Sequence, residues 1–490
     1  MRSAYLAGTA LAVLAASPAL AQAPTSNEAI VARLNQLEAK VNALEARNAE
    51  LEKQLAGQKA APAQAVAAAT PAGAAPTSPV VTADSRAAPA PAVKTVDWTI
   101  VPQFNSPDGN FTFKPRGMLQ LDYAGFNERR GGYDYNNGTS IRRGRLGFDG
   151  TALKQFAWRI EAEWIDNKAN LLDAYVSYTG VKNFTFTLGQ LKVPAGLEAN
   201  SSDAFNEFLE RGMANTTFGQ VGGERRVGAT FAYADSLITA TAGLYGAGEA
   251  VDRNASTPDE VWGYNGRLTV EPINRKGRLL HIGASAYQVQ NLAGNSVTLA
   301  DRPNVRVDGG NLESIVVPGG VSATGVKTGV KSASFYGLEG AAVYGPFSVQ
   351  GEYSHMHLDR FQSAPALNFD GYYVFGSLFL TGESRSFKNG LIDRLKPIHP
   401  FNPTKGDWGA WELAVRYDRI NLTDLALSPL DHNAHAVTGA LNWYFTGNLK
   451  LLFNYIRFTG RNSPLVAAPV SINGTKAKGD AFATRLHLDF

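Results

Sequence analysis

Hydrophobic and polar side chains alternate along the last ten residues of the chain. Phe482, Leu486 and Phe490 fall on one face of an extended strand, while Arg485 and His487 fall on the other. Because successive side chains of a strand point to opposite faces, this pattern predicts a strand that separates two different environments. An edge strand of a soluble sandwich would satisfy the pattern, and so would a barrel strand between lipid and a polar lumen.

Segments with the same alternation recur throughout residues 97–490. In one of them, Trp158 and Trp164 share a face, and Arg159 and Glu163 share the opposite face. Aromatic residues concentrate at the ends of these segments, where a membrane barrel has its interfacial girdles. A soluble sandwich has no need of such girdles, so the pattern favours the barrel.

About sixteen alternating segments can be counted, an even number that suits a bacterial barrel with a water-filled lumen. They centre near residues 118, 145, 160, 175, 187, 230, 241, 266, 284, 339, 353, 376, 415, 440, 453 and 486. The predicted fold class is all-β, a 16-stranded antiparallel transmembrane β-barrel preceded by an N-terminal α-helical coiled coil.

The connections between these segments differ in length. We interpret the short stretches 167–169 and 271–277 as periplasmic turns. The longer stretches 192–224, 290–333 and 382–408 are interpreted as outward loops. An asymmetry of this kind is typical of outer-membrane barrels, whose periplasmic turns are short.

A helical period replaces the alternation in residues 22–57, ahead of the barrel. Apolar residues there keep a spacing of three and four, as the a and d positions of heptads do. These positions are Leu34, Leu37, Val41, Leu44, Leu51 and Leu55, with Asn48 at the remaining a position. A single helix cannot bury such a stripe, so the pattern predicts a self-associating coiled coil in the periplasm. A lone amphipathic helix on a surface is the alternative.

The N-terminus has the features of an exported protein. Residues 1–21 combine a basic start, a short uncharged apolar run and the sequence Ala19-Leu20-Ala21, which together predict a signal peptide. An N-terminal anchor is the alternative, although the apolar run is short and ends at Pro18. Residues 58–96 are rich in Ala and Pro and predict a semi-extended linker.

Composition narrows the classes of function. The 490 residues include no cysteine, which excludes disulfides and thiolate metal sites. A formal net charge of +3 is too small to predict nucleic-acid binding. The motifs of serine hydrolases, zinc proteases and nucleotide-binding loops do not occur, so we predict no enzyme activity, catalytic residue, metal or cofactor.

Arginine and lysine concentrate on the predicted lumen face. Leu146 and Phe148 should face lipid, so alternation places Arg143 and Arg145 in the lumen. The same alternation places Arg142 on the lipid-side face, close to the strand end. Further candidates for an anion pathway are Arg159, Lys192, Arg211, Arg225 and Arg226.

The long connection after the fifth segment lies where general porins fold a loop into the barrel. Lys192, Arg211 and Asn215 would then line a constriction. Rings of arginine and lysine select anions. The alternative is that inward arginines are neutralised by inward acids, namely Glu161, Glu163, Asp173 and Asp149.

Several motifs of the barrel segment resemble the phosphate-selective porin O and P family. The most specific runs from Gly371 to Arg385 and contains Phe-Leu-Thr-Gly-Glu-Ser-Arg. The others are Asp108-Gly-Asn-Phe, Arg142-Arg143-x-Arg145, Asp173-Ala-Tyr, Gly189-Gln190-x-Lys192-x-Pro194, Phe208-Leu-Glu-Arg211, Lys388-Asn389-Gly390 and Gly409 to Tyr417. The resemblance implies a trimeric sixteen-stranded outer-membrane channel, with an arginine ladder leading to a constriction lined by lysine and arginine.

The resemblance also assigns roles by motif. Arg142 and Arg143 match paired arginines of the second strand, and Lys192 matches a constriction lysine. Arg225 and Arg226 match a basic pair that opens the sixth strand. Alternation and resemblance therefore disagree about Arg142, which alternation turns towards lipid.

These observations lead to three functional hypotheses. The first is an outer-membrane porin for passive diffusion of anions, inorganic phosphate or polyphosphate in particular. The second is a general porin, or one for sugars or organic acids, with its arginines balanced by acids. The third is a structural tether in which the coiled coil contacts the periplasmic cell wall. The expected partners are small anionic solutes, outer-membrane lipids and two further copies of the chain, but no nucleic acid.

Overall fold

The computed structural model describes residues 97–98, 101–130, 134–219, 221, 223–248, 260–464 and 476–490, together with Ala39, Asn42 and Ala46. The chain divides into two units, Met1–Ala88 and Pro89–Phe490. In the first unit the three described residues have helical backbone and exposed side chains. The predicted signal peptide, the coiled-coil core positions and the linker lie outside the described residues.

Strands make up most of the second unit. They are β1 (Asp97–Trp98), β2 (Pro102–Asn105), β3 (Phe111–Arg130), β4 (Gly138–Ala152), β5 (Phe156–Ile165), β6 (Lys168–Tyr178), β7 (Phe184–Lys192), β8 (Arg225–Ala234), β9 (Ile238–Tyr245), β10 (Trp262–Arg275), β11 (Arg278–Gln290), β12 (Val297–Asp301), β13 (Glu313–Val317), β14 (Gly320–Val321), β15 (Lys327–Thr328), β16 (Val330–Tyr344), β17 (Phe347–Arg360), β18 (Leu367–Phe379), β19 (Phe387–Lys388), β20 (Leu391–Ile392), β21 (Ala410–Asn421), β22 (Asn433–Tyr444), β23 (Leu449–Arg461) and β24 (Lys476–Asp489).

Sixteen of these strands form a closed antiparallel barrel, namely all except β1, β2, β12 to β15, β19 and β20. Each barrel strand pairs with the next in chain order, and β24 closes onto β3. Each of the predicted strand centres lies within one of the barrel strands. The predicted barrel is therefore confirmed for the second unit.

The closing strand shows why these sequences form a barrel. Phe482 is 52% exposed on the outside, whereas Arg485 is 2% exposed and His487 is 1% exposed on the inside. A band of exposed aliphatic and aromatic side chains continues around the outer face of the other strands. Lipid replaces water as the solvent of this band, as expected for a transmembrane barrel.

Successive connections lie at alternate ends of an antiparallel barrel. Most connections at one end are short, such as 235–237, 276–277 and 345–346, and Phe490 lies at this end because it pairs with Gly117. The longer connections 193–224 and 291–329 lie at the opposite end. This asymmetry identifies the short-turn end as periplasmic.

Two loop interpretations are wrong. The hairpin at residues 166–167 lies at the end of the long loops, and the segment 380–409 lies at the short-turn end. The length of a connection does not by itself identify the end of the barrel at which it lies. The number of strands that precede a connection decides its end of the barrel, because each antiparallel strand reverses the chain.

Three long connections fold into the lumen, and the apolar core of the molecule lies there. The connection 193–224 carries the α-helix α1 (Met213–Gly219), whose Met213 and Phe218 pack with Leu299 and Leu312 of the connection 291–329. From the periplasmic end, Leu391 and Ile392 pack with Leu197. Among the described residues, no helix is long and apolar enough to cross a membrane.

Candidate functional site

Arg142 and Arg143 lie side by side at a β-bulge in β4. On the partner strand β3, Gln120 pairs with Arg143 but the next residue, Leu121, pairs with Ile141, so that Arg142 is an extra residue. A bulge interrupts the strict alternation of a strand. Both guanidinium groups therefore point into the lumen, while Ile141 stays on the outside with 57% exposure. The prediction that Arg142 faces lipid is wrong.

The inward connection 193–224, called here the constriction loop, presents a buried carboxylate to three arginines. The carboxylate of Asp203 lies 3.1 Å from Arg143, 2.9 Å from Arg145 and 2.7 Å from Arg211. Burial alone would raise the pKa of Asp203, but the nearby guanidinium charges outweigh burial and hold the pKa well below its usual value. Asp203 is therefore ionised and fixes the three arginines in place.

A second carboxylate of the same loop holds another three arginines. Glu210 lies 2.7 Å from Arg142 of β4 and 2.9 Å from Arg485 of β24. Arg306, from the connection 291–329, lies 3.6 Å away. Burial would raise the pKa of Glu210, but Arg142 and Arg485 lower it well below its usual value. The ionised side chain of Glu210 thus connects its own loop to strands β4 and β24 and to the connection 291–329.

These groups surround a cavity of about 470 Å³ beside β4, β7 and β8. Seven cationic side chains line it, and they are Arg142, Arg143, Lys192, Arg211, Arg226, Arg302 and Arg306. Four carboxylates line it, and they are Asp166, Glu210, Glu224 and Asp308. Positive charge therefore exceeds negative charge in the walls, which raises the local concentration of anions.

Arg226 differs from the other cations of the cavity. It is 2% exposed, and its Nε donates to the carbonyl oxygen of Gly246 at 2.9 Å. Among the described residues, no carboxylate lies within ion-pair distance of Arg226, and its Nη2 is buried without a hydrogen-bond acceptor. A buried donor without an acceptor costs free energy, so a bound anion would be stabilised here.

Lys192 lies at the end of β7, against the constriction loop. Its Nζ donates to the carbonyl oxygen of Ala199 at 2.9 Å and lies 3.3 Å from Glu224. Arg211 also contacts Glu224, at 3.0 Å. In this loop the positive charges of Lys192 and Arg211 outweigh burial and lower the pKa of Glu224, so this carboxylate is ionised.

Three predicted pathway residues do not line the cavity. Arg145 lies behind Asp203 and pairs with Glu163 at 2.8 Å. Arg225 pairs with Asp173 at 3.0 Å, and Arg159 lies 3.4 Å from Asp149, nearer the periplasmic end. Neutralisation by inward acids, the alternative drawn from the sequence, therefore applies to these three arginines.

Sequence reasoning missed four residues of the site. Arg302 and Arg306 line the cavity from the connection 291–329, and Asp203 and Glu210 organise the arginines. All four lie in the connections between barrel strands, where no alternation assigns a side chain to the lumen. The sequence signal for these residues is the density of charged residues in connections that were expected to be long.

Two acids of the far wall hold the constriction loop in place. Glu352 of β17 accepts hydrogen bonds from the backbone N–H groups of Leu197 and Glu198, both at 2.8 Å. Asp418 of β21 accepts one from the backbone N–H of Met213, the first residue of α1, at 2.9 Å. The loop is thereby anchored across the lumen, opposite the arginines of β4.

Comparison with known proteins gives one family and two relatives. The family model for phosphate-selective porin O and P matches residues 113–490. Porin O of Pseudomonas aeruginosa is 29% identical over 418 residues, which covers 78% of this chain and 89% of that protein. An uncharacterized protein of Caulobacter vibrioides is 28% identical over 498 residues, covering 98% of this chain and 94% of that protein.

Solved structures that align with this chain are distant in sequence. The anion-selective porin from Comamonas acidovorans aligns with a TM-score of 0.49 at 13% identity, covering 77% of this chain and 100% of that one. The outer membrane channel DcaP of Acinetobacter baumannii aligns with a TM-score of 0.46 at 12% identity, covering 79% of this chain and 99% of that one.

The family match begins in the first barrel strand and ends at the C-terminus, so it includes all sixteen barrel strands and the three inward connections. The protein is an outer-membrane porin, and the chain belongs to the phosphate-selective porin O and P family.

Proposed function

We propose that the cavity beside β4 is the constriction of a pore through which anions diffuse passively across the outer membrane. The observation that carries this proposal is the excess of seven cationic side chains over four carboxylates in its walls. Fixed cationic rings favour anions in a pore and oppose cations. The bulge strengthens the effect, because it adds Arg142 to a wall that alternation would have left with Arg143 alone.

We propose inorganic phosphate, or the phosphate groups of polyphosphate, as the preferred solute within this anion class. Guanidinium groups present paired donors that match the oxygens of phosphate, and they remain charged at any physiological pH. Arg142, Arg143, Arg211 and Arg226 offer such groups around one cavity. The name of the family and its relationship to Porin O support the same choice.

Single-channel recording with competing anions tests this choice. Chloride current through the purified porin is measured in planar bilayers while phosphate is added at increasing concentration. Low phosphate should block the current. Arg226→Gln should weaken the block by roughly 10- to 150-fold, since one charge-assisted hydrogen bond contributes roughly 1.5 to 3 kcal/mol. Lys182→Gln is the matched control, because Lys182 is exposed in the short turn between β6 and β7.

The outcomes separate the candidate solutes. If the pore prefers anions but phosphate does not block its chloride current, it is a general anion pore. Block by sugars or by dicarboxylates, but not by phosphate, would instead support the second hypothesis drawn from the sequence. Equal effects of Arg226→Gln and Lys182→Gln would exclude Arg226 from the binding site.

We also propose that the porin is a homotrimer and that residues 22–57 associate in the periplasm, where they contact the cell wall. The support is the heptad pattern around Asn48, which one chain cannot bury alone. Deletion of residues 22–57 tests this role. If cross-linked trimers and permeability persist while co-sedimentation with peptidoglycan is lost, the segment is a tether. If cross-linked trimers are lost, it is an assembly element.

A further inference from the structure

The outer face of β21 to β24 carries a concentration of basic residues at the end of the long loops. Arg419, His435 and Lys478 lie in one row across the four strands, because Arg419 pairs with His435, His435 with Thr459, and Thr459 with Lys478. Adjacent strands are about 4.8 Å apart, so this row is roughly 14 Å wide. Arg419 and Lys478 are exposed.

Further basic residues lie directly above and below this row. Arg461 pairs with Lys476 in the row nearer the loops, and Arg457 lies in the row nearer the membrane centre. We call these residues together the basic rim patch, and they are Arg419, His435, Arg457, Arg461, Lys476 and Lys478.

Acids neutralise only part of the basic rim patch. Asp480 lies 3.0 Å from Arg457, and Asp431 lies 3.8 Å from Arg461. Among the described residues, neither Arg419 nor Lys478 has a carboxylate within ion-pair distance. On the neighbouring strands β17 and β18, the outward positions at the same end include the acids Asp359 and Asp370. Strands β17 and β18 therefore carry acids at the level where β21 to β24 carry the basic rim patch.

An apolar groove of about 710 Å³ lies on the same four strands, directly towards the membrane centre. Gly439 is at its middle, with Val415, Tyr455 and Phe482 in the same cross-strand row. Apart from Gly439 and its two chain neighbours, no described residue has a heavy atom within 4 Å of the position that a Cβ at Gly439 would occupy. Stacked Trp411 and Trp443, with ring centroids 4.8 Å apart, bound the groove on the periplasmic side.

We propose that this sector binds a phosphorylated glycolipid of the outer leaflet, with its phosphate groups on the basic rim patch and an acyl chain in the groove below. The arrangement matches the amphipathic shape of such a lipid. Cations lie at headgroup level, and the next row towards the membrane centre holds Tyr417, Val437 and the ion pair of Arg457 with Asp480. The apolar groove continues from there into the hydrocarbon layer. The proposal depends on the outer-membrane location and not on the solute of the pore.

Binding of diphosphoryl lipid A to the purified full-length porin in detergent, followed by native mass spectrometry, tests the proposal. We expect Lys478→Gln to weaken binding by about fivefold, because one cation near the membrane surface contributes about 1 kcal/mol. The double variant Lys478→Gln/Arg419→Gln should bind more weakly again, by a similar factor. Lys331→Gln is the matched control, since Lys331 is exposed at the same end on β16. The control should bind as the unmodified porin does.

Gly439→Leu tests the groove independently of charge. The leucine side chain would fill the open space, so lipid binding should fall. Conductance should be unchanged, and so should folding, which is monitored by heat-dependent mobility in gels. Three results would overturn the proposal. The first is equal lipid binding by Lys478→Gln and Lys331→Gln, and the second is displacement of the lipid by inorganic phosphate at millimolar concentration. The third is loss of trimers in Gly439→Leu with lipid binding intact, because the groove would then be a contact between protomers.

Discussion

Arg142 and Arg143 are consecutive in one strand, yet both reach the lumen and bind different carboxylates of the same loop. Arg142 Nε lies 2.7 Å from Glu210, and Arg143 Nη2 lies 3.1 Å from Asp203. The bulge at Arg142 makes this possible, because it turns an outward position inward without shifting Ile141 from the lipid face. One extra residue thus adds a charge to the pore and a second connection between wall and loop.

The bulge leads to a direct prediction for the two arginines. Arg142→Ala and Arg143→Ala should each lower the ratio of chloride to potassium permeability, measured from reversal potentials, because both side chains line the cavity. Strict alternation would predict an effect for Arg143→Ala only. Lys182→Ala, which removes a charge from an exposed turn, should leave the ratio unchanged. An unchanged ratio in Arg142→Ala would show that the bulge has no role in selectivity.

The anchoring of the constriction loop by Glu352 predicts a change in pore size. Glu352→Ala leaves the N–H groups of Leu197 and Glu198 without their acceptor, at a cost of about 1 to 3 kcal/mol for each buried donor. We expect larger single-channel conductance with more current noise, because the loop would move away from the β4 wall. Glu352→Gln retains an acceptor oxygen and should have a smaller effect. Conductance and noise that match the unmodified porin would contradict this role.

Asp301 predicts a dependence of selectivity on pH. This residue of β12 lies 2.5 Å from Arg306, which lines the cavity, and burial raises its pKa to about 6. Below about pH 6 the carboxyl becomes neutral and no longer offsets the charge of Arg306, so anion preference should increase between about pH 7 and pH 5. Reversal potentials measured across this range test the prediction.

The same pKa shift fixes the sign of the stability effect. The folded-state pKa of Asp301 exceeds the usual carboxyl value near 3.9, so the folded loop binds protons more readily than the unfolded chain between about pH 6 and pH 4. Protonation in that window therefore stabilises the loop. Asp301→Asn imitates the neutral carboxyl and should remove this part of the pH dependence. Persistence of the full pH effect in Asp301→Asn would assign it to another group, such as Glu313, whose pKa is also raised by burial.

The barrel could be predicted from the sequence because one face of each strand contacts lipid and the other faces a polar lumen. Residues such as Phe482 and Arg485 therefore alternate strictly, and the same alternation located all sixteen strands. The end at which each connection lies was predicted less well. The segment 380–409 is long yet periplasmic, because strand order and not loop length sets the end.

The site was only partly predictable for a related reason. Arg143 and Arg226 lie on strands, where alternation indicates the lumen, and Lys192 opens the long connection that was expected to fold into the barrel. Asp203 and Arg306 lie in loops whose path depends on contacts distant in sequence, such as those with Glu352 and Asp418. A bulge likewise leaves no mark in the alternation that it interrupts, so the inward position of Arg142 required the structure.

The reversal potential of the unmodified porin under a potassium chloride gradient tests the central claim most directly. The excess of cationic side chains in the cavity predicts a potential close to the equilibrium potential of chloride, and therefore anion preference. A potential near zero, or one close to the equilibrium potential of potassium, would contradict the claim that the arginines beside β4 form the selective constriction.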